Sequence, residues 1–326
     1  MKGAGLQLRN GRVGKHSWLD SALTIHSSRR RFAARLNSGV SPLTNFWDNM
    51  KHYLLLALVA ASSTAGAVVI RDDVEDRKYQ VPASVIPALA DFPGEGHGLL
   101  IAPQWVITVA HVASPHSVRA VSINGVSRAV ESIVVHPGYR ALPDALVKEA
   151  LATGDAAKAM AFLASSDDIA LVRLAEPVTD VRPISLFRGN GEFGKTVQLI
   201  GKGATGSGAA GEAPHSPHRT TLRRAFNVVS GADNRWISYT FDPPGNALPL
   251  EGITGSGDSG GPVLIKVRGR WQLAGLAAWK TVQGDVGAYR PGRYGDSGNN
   301  VRLSRYVTWI ERVMAGKSAE HVRPGG

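Results

Sequence analysis

The chain has 326 residues, 43% hydrophobic and 19% charged, enough apolar material for one or two cores and too much for a disordered polymer. Its net charge of +11 is uneven: residues 1–49 hold eight Lys/Arg against Asp20 and Asp48, Lys51 adds one, and the part from Val68 onward carries +4. So small a balance excludes a phosphate-binding stripe, so no nucleic-acid partner is expected; the absence of cysteine excludes disulfides and thiol chemistry.

In chain order, Met50-Lys51-His52 opens onto an apolar run, 53–61, and then onto small residues, 62–67. A short basic start, an apolar stretch of signal-peptide length and a small-x-small site after Ala67 predict a signal peptide over 50–67. The run is too short to span a bilayer comfortably, so no stable membrane anchor is expected and the product is read as secreted or periplasmic. Export signals normally open a chain, so residues 1–49 read as an over-extended or disordered segment ahead of a true start at Met50. Ser28-Arg29-Arg30-Arg31-Phe32 resembles a twin-arginine export motif, but about 20 mostly polar residues separate it from the apolar run.

From residue 68 onward, short apolar runs bounded by Gly, Pro, Asn and Asp predict strands at 98–102, 105–109, 118–124, 129–135, 169–174, 197–201, 222–229, 236–241, 262–267 and 271–278. That rhythm belongs to an all-β sandwich or barrel. Two stretches interrupt it. Residues 145–164 are Ala-rich and predict a helix inserted ahead of Asp168; residues 201–219, rich in Gly, Ala, Ser and Pro, predict a long surface loop. Near the end, Tyr306, Val307, Ile310, Val313 and Met314 fall at helical spacing, predicting a C-terminal α-helix capped by Ser304 and stopped by Gly316.

Three places carry chemistry. Gly257-Asp258-Ser259-Gly260-Gly261-Pro262 is a serine in a glycine turn, where backbone N–H groups can converge on a developing negative charge. A serine hydroxyl needs a base to take its proton. His111 closes the apolar run 105–110, and Asp168 opens the run 169–174. Alone, His111 reads as structural and Asp168 as a turn residue; together, carboxylate orients imidazole and imidazole deprotonates serine. His215 and His218 lie in the expected loop without a third ligand, so neither metal nor cofactor is expected.

Thr108-Val109-Ala110-His111, Asp168-Ile169-Ala170-Leu171-Val172-Arg173-Leu174 and the 257–262 string resemble the three signature blocks of chymotrypsin/trypsin-like serine proteases, in the same order and separated by 57 and 91 residues. Tyr306-Val307-Thr308-Trp309-Ile310 fits as well. The resemblance implies one protease domain over 68–326, built of two six-stranded antiparallel β-barrels meeting near 180–195, with the triad in the cleft between them. It implies serine endopeptidase activity on polypeptides through a Ser259 acyl-enzyme, by a monomer, with the Gly257 and Ser259 amides as oxyanion hole. The alternative is a catalytically silent homologue acting as a binding module.

The departures from that pattern concern the substrate pocket. Ile253 stands where trypsins place an acidic residue at the pocket floor, with Thr254 next, so cleavage after Lys or Arg is not expected. Ala278 precedes Trp279 where a serine commonly supports the aspartate, and Lys280 replaces a glycine that keeps the pocket open, so the pocket is read as partly blocked or as favouring an acidic side chain. In the family, the residue matching Asp258 pairs with a newly exposed amino group. Cleavage after Ala67 would place Val68 in that role.

Overall fold

A stretch of strand that is apolar at consecutive positions needs cover on both faces, and residues 105–107 and 169–172 are of that kind. The computed structural model describes residues 68–113, 118–213 and 221–316. The expected leader and signal segment, residues 1–67, and the loop histidines His215 and His218 lie outside the described residues. The chain runs through β1 (Val69–Ile70), β2 (Leu89–Asp91), β3 (His97–Ala102), β4 (Trp105–Thr108), helix α1 (Ala110–Ala113), β5 (Ala120–Ile123) and β6 (Val126–Val135). Helices α2 (Asp144–Thr153) and α3 (Ala157–Ala164) precede β7 (Ala170–Leu174). Then come β8 (Thr196–Gly201), β9 (Gly206–Ser207), β10 (Gly211–Glu212), β11 (Arg223–Ala232), β12 (Trp236–Thr240) and β13 (Gly252–Ile253). The hairpin β14 (Pro262–Val267) and β15 (Arg270–Lys280), β16 (Ser297–Arg302) and helix α4 (Val307–Met314) follow.

Six strands close into a first antiparallel barrel in the order β2-β3-β4-β7-β6-β5, and six into a second in the order β11-β12-β16-β15-β14-β8. The two-residue period of a strand explains how both are packed. Leu100, Val106 and Val172 point into the first barrel, while their neighbours Leu99, Ile107 and Leu171 point out. The outward set joins Leu264, Leu273 and Leu276 of the second barrel and Ile310 and Val313 of α4 in one apolar seam. Leu199, Tyr239 and Ile265 fill the second barrel. Each aliphatic side chain fully buried in this way contributes about 1.5–3 kcal/mol. β1, β9, β10 and β13 form a separate small sheet in the order β10-β9-β1-β13.

Three sequence-based expectations change. The inserted helix is two helices, because Gly154 takes φ +75 and terminates α2. The stretch expected as a loop contains β9 and β10, which pair with each other. Ser304 is not the cap of α4: it lies in a 3-10 turn, and its hydroxyl donates to Glu192 Oε1 at 2.9 Å. Among the described residues no helix is long and apolar enough to cross a membrane.

Candidate active site

The register of β4 on β7 decides where His111 and Asp168 meet. Thr108 pairs with Ala170 in an antiparallel ladder, so the chain leaving β4 and the chain entering β7 share one rim of the first barrel. There Asp168 Oδ2 accepts a hydrogen bond from His111 Nδ1 at 2.6 Å, and Oδ1 accepts the His111 backbone N–H at 2.9 Å. With both carboxylate oxygens on one residue, the imidazole is fixed with Nε2 facing away from Asp168. These are the only hydrogen bonds to Asp168 among the described residues; Ala278, buried, has no hydroxyl to add another.

Ser259 sits in a turn gripped by both barrels. His97 N–H, at the start of β3, donates to the Ser259 carbonyl at 2.7 Å, and Gly260 N–H donates to Ala277 O of β15 at 2.7 Å. Gly260 takes φ +76, and a Cβ there would stand 2.1 Å from the His97 carbonyl oxygen, so the turn requires glycine. A Cβ on Gly96 would meet the Val112 side chain at 2.7 Å and the Ser259 carbonyl at 3.2 Å, so the residue after His111 and the serine turn flank the same narrow space. No hydrogen bond joins Ser259 to His111; such bonds often tighten only when substrate is bound.

The amides around Ser259 divide into two sets. Those of Gly255, Ser256, Asp258, Gly260 and Gly261 donate to Asp258 Oδ2, Glu212 Oε1, Gly255 O, Ala277 O and Asp258 O. The amides of Gly257 and Ser259 have no acceptor among the described residues, in a chain segment where backbone donors are otherwise satisfied.

Beside Ser259 lies a crevice of about 10 Å³ lined by Thr254, Gly255, Ala277, Ala278, Trp279 and Lys280. Ile253 does not line it: it is wholly buried in the second-barrel core and pairs with Val69 across β13 and β1. The Lys280 ammonium donates to Glu212 Oε1 at 3.0 Å, with side chains 6% and 7% exposed, and Glu212 also accepts the Ser256 N–H and hydroxyl. Two larger hollows, about 430 and 400 Å³, lie elsewhere, one by Arg188 and Arg305, the other by Trp271.

Below the turn, buried Asp258 accepts N–H bonds from Gly203 (2.7 Å), Gly255 (2.8 Å) and Val68 (3.2 Å). His97 Nε2 lies 3.7 Å from Asp258 Oδ1, and its Nδ1 lies 3.1 Å from Asp91, which also accepts Lys202 Nζ at 2.8 Å. Burial works against a charged imidazole, but Asp258 and Asp91 outweigh it and raise His97 above the usual histidine value. Burial would likewise raise Asp91, yet His97 and Lys202 hold its carboxyl down to about 2. Glu212, His97, Asp91 and Lys202 escape sequence reasoning, since no motif marks them and their partners are distant along the chain.

The Trypsin family model matches residues 77–310. Vitamin K-dependent protein C of Oryctolagus cuniculus is 25% identical over 249 residues, covering 69% of this chain and 48% of the relative. Tryptase of Mus musculus is 27% identical over 244 residues, covering 67% and 77%, and complement C1s subcomponent of Sus scrofa is 26% identical over 255 residues, covering 69% and 33%. The chain thus spans half or less of two of these three relatives. Among solved structures, neuropsin, a serine protease expressed in the limbic system of mouse brain, superposes with a TM-score of 0.53 at 20% identity, covering 72% of this chain and 98% of that one. With a family match over most of the chain and two closed six-stranded barrels, the chain belongs to the trypsin family of serine proteases.

Proposed function

We propose that the chain is a serine endopeptidase in which Ser259 attacks the scissile carbonyl, His111 takes and returns the proton, and Asp168 orients the imidazole. The observation that carries the reading is the 2.6 Å His111–Asp168 bond at the seam where the Ser259 turn docks. The carboxylate selects the tautomer with Nδ1 protonated, leaving Nε2 as the base. The unclaimed amides of Gly257 and Ser259 supply the oxyanion hole, where each donor contributes about 10²–10³ in rate. Tetrahedral collapse expels the leaving amine, protonated by His111, and water resolves the acyl-enzyme.

The crevice beside Ser259 holds about one water at its size, which fits a small P1 side chain rather than Lys or Arg. Lys280 is already neutralised by Glu212, so an acidic P1 residue finds no free cation there. Substrates are polypeptides met after export, and Ala67 is the residue after which signal cleavage occurs. A fluorophosphonate probe tests the assignment. One equivalent should attach to Ser259, and Ser259→Ala should abolish labelling with its melting temperature unchanged. A folded protein that never labels would instead be a silent homologue that binds without cutting.

A further inference from the structure

We propose that the hollow of about 400 Å³ beside Trp271 binds an acidic polypeptide segment of a partner protein, one with apolar residues set between its carboxylates. The hollow shares no lining residue with the crevice beside Ser259, so the inference goes beyond the protease reading and does not depend on it. Residues 85–88, ahead of β2, form one wall, and residues 182–185, in the link between the barrels, form another. Strands β8, β11, β14 and β15 of the second barrel supply the floor. Main-chain bonds fix the walls: Ile184 N–H donates to Leu100 O, Leu273 N–H to Ser185 O and Leu100 N–H to Ala88 O, each at 2.9 Å. The shape is therefore built before any ligand arrives, which lowers the ordering cost of binding.

Two polar groups of the lining are buried without a partner. On β8, Val197 and Leu199 point into the second barrel, so Gln198 between them points out, into the hollow. It is 3% exposed, and its amide makes no hydrogen bond among the described residues. On β11, Arg224 Nε is buried and likewise has no acceptor among them. Buried polar groups are nearly always paired, so these two call for a partner from outside the fold. A side-chain amide offers donor and acceptor together, which matches the C=O and N–H of a peptide group.

The charge is one-sided. Arg182, Arg224 and Arg270 line the hollow, no Asp or Glu does, and none of the three forms an ion pair among the described residues. Arg223, by contrast, is already paired with Asp76. Arg224 lies 5.5 Å over the Phe226 ring, and Lys266 lies 5.8 Å over the ring of Trp271, its cross-strand neighbour. A cation resting on a ring keeps N–H groups free for a carboxylate. Val85, Pro87, Ile184, Leu264 and Trp271 add apolar surface between these charges. A peptide can fill that surface with side chains, whereas a sulfated sugar makes no use of it. The chain itself has no matching segment outside the described residues. Residues 1–67 hold nine Lys/Arg against two Asp, residues 214–220 hold Arg219 alone, and residues 317–326 carry +1. The occupant therefore comes from another chain.

The test uses the full chain carrying Ser259→Ala, which cannot cut its ligand, and a fluorescein-labelled decapeptide of alternating Glu and Leu. Anisotropy should show saturable binding, weakened by salt and about tenfold or more tighter than for the same peptide with Gln in place of Glu. Arg224→Gln/Arg270→Gln should weaken it about tenfold or more with Tm unchanged. Should that variant fail to fold, Arg182→Gln/Arg270→Gln, which alters two exposed side chains, takes its place. Gln198→Met, close in volume, should weaken the peptide and leave any binding of dextran sulfate as it was. Equal affinity for the Glu and Gln peptides, or a Glu peptide indifferent to the arginine variants, overturns the inference. Dextran sulfate bound while the peptide stays free makes the surface a polyanion site and overturns it as well. No arm uses the Ser259 hydroxyl, so a chain that binds the peptide but never labels with fluorophosphonate sinks the protease reading alone, and the converse sinks this one alone.

Discussion

Lys280 fills space beside Ser259 that a glycine would leave open, and its ammonium is spent on Glu212 rather than on substrate. Lys280→Gly should therefore enlarge the crevice and admit bulkier P1 side chains. It also strands a buried carboxylate, and losing one partner of such a pair costs about 3–5 kcal/mol. The double variant Lys280→Gly/Glu212→Gln should recover most of that stability while keeping the broader preference. Thermal melts and a peptide series varied at P1 read both effects; a single variant that still accepts only small residues would remove Lys280 as the gate. This pair also marks where sequence reading stops. His111, Asp168 and Ser259 are legible because each stands at the end of an apolar run or inside a glycine turn whose chemistry is local. Glu212 lies in a Gly/Ala-rich stretch with no pattern, and what it does is set by β9 and β10 folding it back toward Ser256.

Among the elements, strands with alternating or continuous apolar residues are readable in advance, and those held by polar contacts are not. β16 reads Ser-Gly-Asn-Asn-Val-Arg, yet it sits inside the second barrel because Asn300 Nδ2 donates to Ile237 O at 2.9 Å and Asn299 Nδ2 to Thr281 Oγ1 at 2.8 Å. β1, β9, β10 and β13 have two residues each, too short for any period to show. The helical insertion is visible in the Ala-rich composition, but its break is made by Gly154, whose carbonyl accepts the Val286 N–H at 2.9 Å. Val147, Ala150 and Ala159 of the insertion pack with Val282 and Val286, so it is docked on the segment that follows β15. A Cβ at residue 154 would stand 2.5 Å from Asp285 Oδ2, in a left-handed conformation. Gly154→Ala should cost about 1–2 kcal/mol, a fall in Tm of roughly 2–8 °C for a domain of this size. An unchanged Tm would mean that α2 and α3 are not docked on that segment.

For the molecule as a whole, the question is how one end of the domain reports to a turn 190 residues away. Val68 is fully buried, its N–H faces Asp258, and its carbonyl accepts the Thr205 hydroxyl at 3.1 Å. β1 then pairs with β13 and β9, which seats the segment between β13 and the β9–β10 hairpin that carries Glu212. In the uncut chain this placement forces Val68 to φ +62, a region that costs a β-branched residue about 1–2 kcal/mol. A cut after Ala67 would remove the torsion altogether, since a terminal residue has no preceding carbonyl to clash with. It would also turn a neutral amide into an ammonium facing a buried carboxylate, a shorter and stronger contact. Strain and charge therefore favour the cut form together. A protein beginning at Val68 should label and turn over about tenfold or more faster than one beginning at Ala67, with a higher Tm. The comparison isolates one residue, so equal rates and equal melting temperatures for the two would show that Asp258 takes nothing from the terminus.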